Sequence, residues 1–459
     1  MRRPLWRRSH RKVRHVIKVS KFGGSSVADA SQFKKVKEIV KADPERKFVV
    51  VSAAGKRNKE DNKITDLLLL VNAHIEYGVD CSALLATIQQ RFMDIALELG
   101  VEFPVAEEFQ KLVDDIKNKT PEFIVSRGEW FTGKIMAEYL GMPFVDAADV
   151  VMFHHDGTVD MERTQTKLRE AVVHTGGTFL LPGFYGATVD GQVKLFKRGG
   201  GDITGAILAR CLDAGLYENW TDVSGFLAAD PRVIDNPRAI HRITFEEMRE
   251  LSYMGASVLQ EEAIFPVREV NIPIQIKNTN APDEFGTIIR ETANEHQREH
   301  LITGIAGKKD FVGIYVQRAH MSNEIGCIRR ALSILERYNV SVEHIPTGVD
   351  SFAIVVNGAD VKDTIYSIVA DMQRDVQPDS INVLPGLALI SVVGRNMSRR
   401  AGTSGQIFGA LGEAGINIRM ITQSSQEISI ILGVQNEDFE KAIHVIYDRF
   451  GDAVVISQQ

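Results

Sequence analysis

Residues 321–356 align with residues 397–432 at a constant offset of 76. Met321 falls on Met397, Gly326 on Gly402, Leu335 on Leu411, Val340 on Ile416, Ile345 on Ile421 and Phe352 on Ile428. A chain that repeats its apolar positions in register over that length builds one unit twice. Each copy reads strand, helix, strand, strand, helix, strand. The first runs 311–317, 325–338, 341–345, 351–356, a helix near 364–372, and 381–384. The second runs 387–394, 404–414, 416–421, 427–434, 439–449 and 453–456. That order is the ferredoxin-like βαββαβ unit. The period is too long for a solenoid, and two copies side by side leave a groove for a small ligand.

The chain ahead of the repeat is built differently. From residue 16 to about 290, short apolar runs alternate with helical spacing; 47–52, 178–183, 218–222 and 272–277 read as strands. Such alternation implies a mostly parallel sheet covered by helices on both faces. Ligands then sit beyond the C-terminal ends of the strands. The expected division is a basic extension at 1–15, an α/β domain at 16–293, a polar linker at 294–309, and the two repeats at 310–385 and 386–459. Residues 301–307 are a candidate extra strand for the second repeat.

Two glycine-rich turns carry the chemistry. In KVSKFGGSSVADASQFKKV (18–36) a buried strand ends at Lys21, the backbone turns on Gly23-Gly24, and a helix follows with Phe33, Val36, Ile39 and Val40 on one face. In FKRGGGDITGAILA (196–209) three glycines open a helix, with Arg198 before them and Asp202 just inside. Free N–H groups and the helix dipole suit an anion at each turn, and an arginine can hold a carboxylate bidentately. Two such turns fit an enzyme that handles two anions. In SRGEWFTGKIMAEYL (126–140), Glu129 opens a helix, where an acid either favours the dipole or holds a cation. LPGFYG (181–186) is a strand end with a Gly-bounded loop. In WTDVSGFLAADPRVI (220–234), Thr221 and Asp222 end a strand and Asp230-Pro231-Arg232 forms a turn.

KFGGSSV, SRGE, RGGGD, TDVSGFLAADPR and IPIQIKNT (272–279), in this order and followed by the tandem repeat, resemble the aspartate kinases. The resemblance runs from Val16 to the C-terminus. It implies an amino-acid kinase fold followed by two ACT domains. It also implies transfer of the ATP γ-phosphoryl group to the β-carboxylate of L-aspartate, with Mg²⁺ on the phosphates. Carried over residue by residue, Lys21 stabilises the transferred group, and Asp202 orients Lys21 and the reacting groups. Thr65, Glu129, Arg198 and position 201 meet aspartate, Glu129 at its ammonium and Arg198 at its α-carboxylate. Lys21, Gly23, Gly24, Ser25, Thr221, Asp222 and Arg232 meet ATP. Met321, Gly326, Ile328 and Glu343 fall where the family binds an amino-acid effector, lysine first and threonine second. ACT units pair across subunits, so a homodimer is expected.

Three departures from the family pattern stand out. RGGSD becomes RGGGD, so Gly201 replaces a serine; Leu227 replaces a tyrosine; and GAKVLHP becomes Gly255-Ala256-Ser257-Val258-Leu259-Gln260-Glu261. Glutamate, acetylglutamate or uridylate kinases share the fold, but the tandem repeat and the Glu129/Arg198 pair disfavour them. A catalytically dead amino-acid sensor would lack Lys21 or Asp202, and both are present.

Composition excludes other classes. A net charge of −6 disfavours a nucleic-acid binder. The N-terminal MRRPLWRRSHRKVRHVIK is basic but lacks the apolar segment of a signal peptide, and reads as a disordered tail. Cys81, Cys211 and Cys327 form no metal spacing or disulfide framework, as expected in a reducing cytoplasm. His154-His155-Asp156 reads as a turn, so no metal site is expected in the protein itself. No apolar stretch approaches a membrane span. The charged run 56–63, directly after a strand, reads as a solvated loop able to cover a substrate.

Overall fold

The computed structural model describes residues 16–197, 199–256, 258–259, 263–291, 299–450 and 454–455. They form two compact units. One takes in the described residues up to Gly225 together with Leu259–Glu291; the other takes in Phe226–Val258 and the described residues from 299 onward.

The first unit is built on a sheet in the order Thr287–Arg290, Ile274–Asn278, Leu216–Thr221, Lys18–Phe22, Arg46–Val51, Phe179–Pro182. All neighbours run parallel except Thr287–Arg290. Val19, Phe22 and Val49–Val51 are wholly buried, as a parallel sheet covered on both faces requires. The Ala30–Ala42 helix begins where Asp29 accepts the Gln32 N–H at 3.0 Å, a cap worth about 1 kcal/mol. Its Phe33, Val36 and Ile39 pack into the core, with Val40 at the edge. Lys21, Val50 and Asn219 are level with one another across the three central strands. The C-terminal ends of those strands therefore open on one side.

The second unit carries an antiparallel sheet in the order Val342–His344, Ser351–Asn357, Gly304–Gln317, Ser380–Val393, Ser429–Gln435, Met420–Gln423. Helices Cys327–Arg337 and Ile365–Asp375 share one apolar core, and Thr403–Glu413 and Phe439–Phe450 another. The two repeats are thus two ferredoxin-like halves of one sheet. Two pairs of segments that read as separate are continuous. Gly304–Gln317 starts within the polar run, and Ser380–Val393 passes straight through Pro385-Gly386. The register shifts between Lys308 and Phe311 and again between Phe311 and Gly313. A bulge there accommodates the proline, which has no N–H to give, and the left-handed Gly386. Gly304–Lys308 lies beside Leu389–Val393, in the fourth-strand position of the second repeat. Val454–Val455 pairs instead with Glu299–His300.

Among the described residues no helix is long and apolar enough to cross a membrane. The cysteines are free thiols. The N-terminal extension and Ser257 lie outside the described residues.

Candidate active site

Four backbone segments meet beyond the strand ends, and glycine is what lets them meet. The Gly55 N–H donates to the Gly24 carbonyl at 2.9 Å. A Cβ on Gly55 would stand 2.5 Å from the Gly24 carbonyl carbon, which no side chain tolerates. Likewise a Cβ on Gly183 would fall 2.9 Å from Gly201 Cα, and one on Gly200 would strike the Phe184 ring. Phe184 itself adopts φ +76°, a strained region for a non-glycine residue. Its N–H donates to Thr204 Oγ1 at 3.0 Å, which fixes the loop against the helix Gly200–Cys211.

Lys21 is 7% exposed and its ammonium pairs with Asp202. Asn219, level with Lys21 on the next strand, donates to the same Asp202 oxygen at 2.9 Å. Tyr217 OH donates to the Asp202 carbonyl at 3.0 Å. Asp202 is thus held by two residues of the Leu216–Thr221 strand, and it holds the lysine. The Gly23 N–H is already used, donating to the Trp220 carbonyl at 2.9 Å. Gly24 and the half-buried Ser25 open the turn Gly24–Val27 directly after the strand.

Glu129 is 4% exposed, and its Oε2 has no hydrogen-bond partner within the protein. Burial pushes its carboxyl up to about 8; the Ala53 N–H, its own N–H, Arg127 and Lys21 pull the other way and lose. The sequence placed Glu129 at a helix start. The helix in fact begins at Pro121, capped by Thr120, which accepts the Phe123 N–H, and ends at Leu140. Glu129 therefore sits mid-helix, far from the favourable dipole end, and the dipole reading fails. A buried carboxyl with a free oxygen calls instead for a cation.

The other expected residues fall in different places. Thr65 is half-buried in the first turn of Ile64–Glu76. Thr221 and the exposed Asp222 end the Leu216–Thr221 strand, with Thr221 Oγ1 donating to Asp222 at 3.1 Å. Arg232 belongs to the second unit, where it is exposed and pairs with Asp230 at 2.6 Å. Leu227 lies in that unit too, in a short strand paired with Ala239–Ile240. Arg198 lies outside the described residues. In the repeats, Met321 is buried in a single turn Met321–Asn323, left-handed Gly326 caps the helix Cys327–Arg337, and Ile328 follows it. Glu343 on Val342–His344 accepts a 2.5 Å hydrogen bond from Tyr253 OH.

Sequence reasoning missed Ser52 and Asn219. A Cβ added to Gly201 would fall 2.7 Å from Ser52 Oγ and 3.3 Å from Lys21 Cε. The Ser52 hydroxyl therefore stands where a side chain at 201 would point. Its only sequence signal is position, as the last residue of the 47–52 run; the strand itself ends at Val51.

The model of the amino acid kinase family matches residues 17–278, and that of the ACT domain matches 390–450. Aspartokinase 3 of Bacillus subtilis is 36% identical over 456 residues, covering 96% of this chain and 100% of the relative. This chain belongs to the aspartate kinases. The crystal structure of aspartate kinase from Clostridium acetobutylicum agrees with it at a TM-score of 0.89 and 45% identity, over 95% of this chain and all of that one. Aspartokinase III of Escherichia coli, solved with aspartate and ADP, gives a TM-score of 0.71 at 25% identity, covering 94% of this chain and 99% of that one. Solved with lysine and aspartate, the same protein gives 0.75 at 25% identity, covering 95% and 99%. In this aspartate kinase the Ser52 hydroxyl lies beside Gly201, at the position where the resemblance led a serine to be expected.

Proposed function

We propose that the enzyme transfers the γ-phosphoryl group of ATP to the β-carboxylate of L-aspartate through the residues gathered at the strand ends. The observation that carries this is the buried pair of opposite demands: a lysine fixed by Asp202, and a glutamate with an unsatisfied oxygen close enough to feel its charge. Aspartate supplies an ammonium for Glu129 and an anion for Lys21.

The attacking carboxylate has an ordinary pKa of about 3.9, so it is ionised at neutral pH and needs no base. The barrier is repulsion between two anions. Lys21 neutralises the transferring group, the N–H groups of Gly24 and Ser25 receive the phosphates, and Asp202 keeps the lysine in line. Arg198 receives the α-carboxylate, and the Ser52 and Thr65 hydroxyls complete the aspartate contacts. Thr221 and Asp222 serve the nucleoside side. Asp202 is already committed to Lys21 and Asn219, which suits a Mg²⁺ that arrives with the triphosphate as part of the substrate. That ion would spread the charge of the phosphate oxygens.

Hydroxylamine trapping tests the reaction. With ATP and aspartate it yields aspartyl hydroxamate, and added lysine lowers the yield through the site at Met321, Gly326, Ile328 and Glu343 in a homodimer joined by its repeats. Threonine is the second effector to titrate. Hydroxamate from glutamate but not aspartate would overturn the assignment.

The Glu129 carboxyl gives a second expectation. Below about pH 8 it carries a proton in the free enzyme. The aspartate ammonium favours the ionised form, so binding releases that proton. Aspartate affinity should rise between pH 6 and 8 and level off above. Calorimetry in two buffers of different ionisation enthalpy measures the release; no proton released at pH 7 would refute the role.

A further inference from the structure

Arg91 stands on the helix Ser82–Leu99, away from every motif, and its side chain is 4% exposed. Its guanidinium donates to the carbonyl of Gly55, to that of Ala28 at 3.3 Å, and to that of Asn62 at 2.8 Å. It also pairs with Asp61 at 3.1 Å. Asp61 in turn accepts from the Arg57 N–H and side chain, both at 2.9 Å, which holds the charged 56–62 segment in a closed turn. The cationic partners hold the Asp61 carboxyl well below the usual range.

These carbonyls do not belong to one loop. Ala28 ends the Lys21 turn, Gly55 ends the turn that carries Ser52 and the Ala53 N–H facing Glu129, and Asn62 leads into the helix of Thr65. The two turns touch backbone to backbone at Gly24 and Gly55 with no side chain between them. Thr132 steadies the second turn from the other side, accepting the Ala54 N–H at 3.2 Å. Backbone groups without side-chain interlock slide easily unless something ties them, and a planar guanidinium with several fixed donors does this better than an ammonium.

We infer that Arg91 is a positioning residue of the phosphoryl transfer, clamping the phosphate-side turn, the aspartate-side turn and the following charged segment into one frame. This rests on the active-site reading above. A small misplacement of reacting groups can cost on the order of a hundredfold in rate.

The expected result for Arg91→Ala is a kcat/KM for aspartate lower by about a hundredfold, with both KM values raised. Millimolar guanidinium should restore part of the loss in a saturable way; sodium chloride at equal ionic strength should not. Arg91→Lys should fall between. A merely structural role would lower the melting temperature and active fraction while leaving the KM values of the surviving enzyme unchanged. That outcome, or an Arg91→Ala variant within threefold of the parent, overturns the proposal. Should Arg91→Ala not fold, Asp61→Asn decides: the clamp requires a raised aspartate KM at an unchanged melting temperature, and an unchanged KM removes it. If a Lys21 variant is inactive while the Arg91 and Asp61 variants are normal, the clamp falls and the active site stands.

Discussion

Lys21→Met lowers the turnover number by about three orders of magnitude. The substitution keeps an unbranched side chain as far as Cε and removes the ammonium. Removing one group that stabilises transition-state charge costs about 10²–10³ in kcat, and here the loss is compounded because Asp202 loses its partner and turns its full charge toward the incoming anions. Arginine cannot substitute. A Cβ on Gly201 or Gly23 would already lie 3.3 Å from Lys21 Cε and 3.5 Å from its Nζ, so the space is sized for a slender ammonium. Breaking a buried ion pair also destabilises, so turnover should be read beside melting curves and ADP binding. Lys21→Met with Asp202→Asn removes the stranded charge and should recover stability without recovering rate. Turnover within tenfold of the parent would end the assignment of Lys21.

Glu129→Gln raises the aspartate KM by about 10–100-fold and leaves the ATP KM nearly unchanged. Glutamine fits the same space and still accepts the Ala53 N–H, but offers the substrate ammonium a neutral acceptor. A hydrogen bond to a charged partner is worth about 1.5–3 kcal/mol, which sets that range. The same variant should flatten the rise of aspartate affinity between pH 6 and 8, because the group responsible for it is gone. Steady-state kinetics across that pH range measures both. An unchanged aspartate KM would place the ammonium elsewhere.

The sequence made the sheet and both glycine turns legible for a physical reason. Apolar runs ending in Gly-Gly have few structural solutions, and the offset repeat leaves one unit to copy. Glu129 is legible as an acid but not in its place, because Thr120-Pro121, which starts the helix, lies upstream of the SRGE stretch. Ser52 was passed over because it matters through Gly201, which is distant in the chain. Arg91 carries no motif at all: its partners are carbonyls, and every residue has one. The continuity of Ser380–Val393 was hidden by Pro385-Gly386, a pair that reads as a break unless the facing strand is known to bulge.

The two long strands Gly304–Gln317 and Ser380–Val393 are each common property of both repeats. A hinge between the repeats would have to break this ladder, so the ladder ties the pair into one body. Whatever displaces a strand in one half therefore pulls on the other through shared hydrogen bonds, and the two halves cannot answer independently.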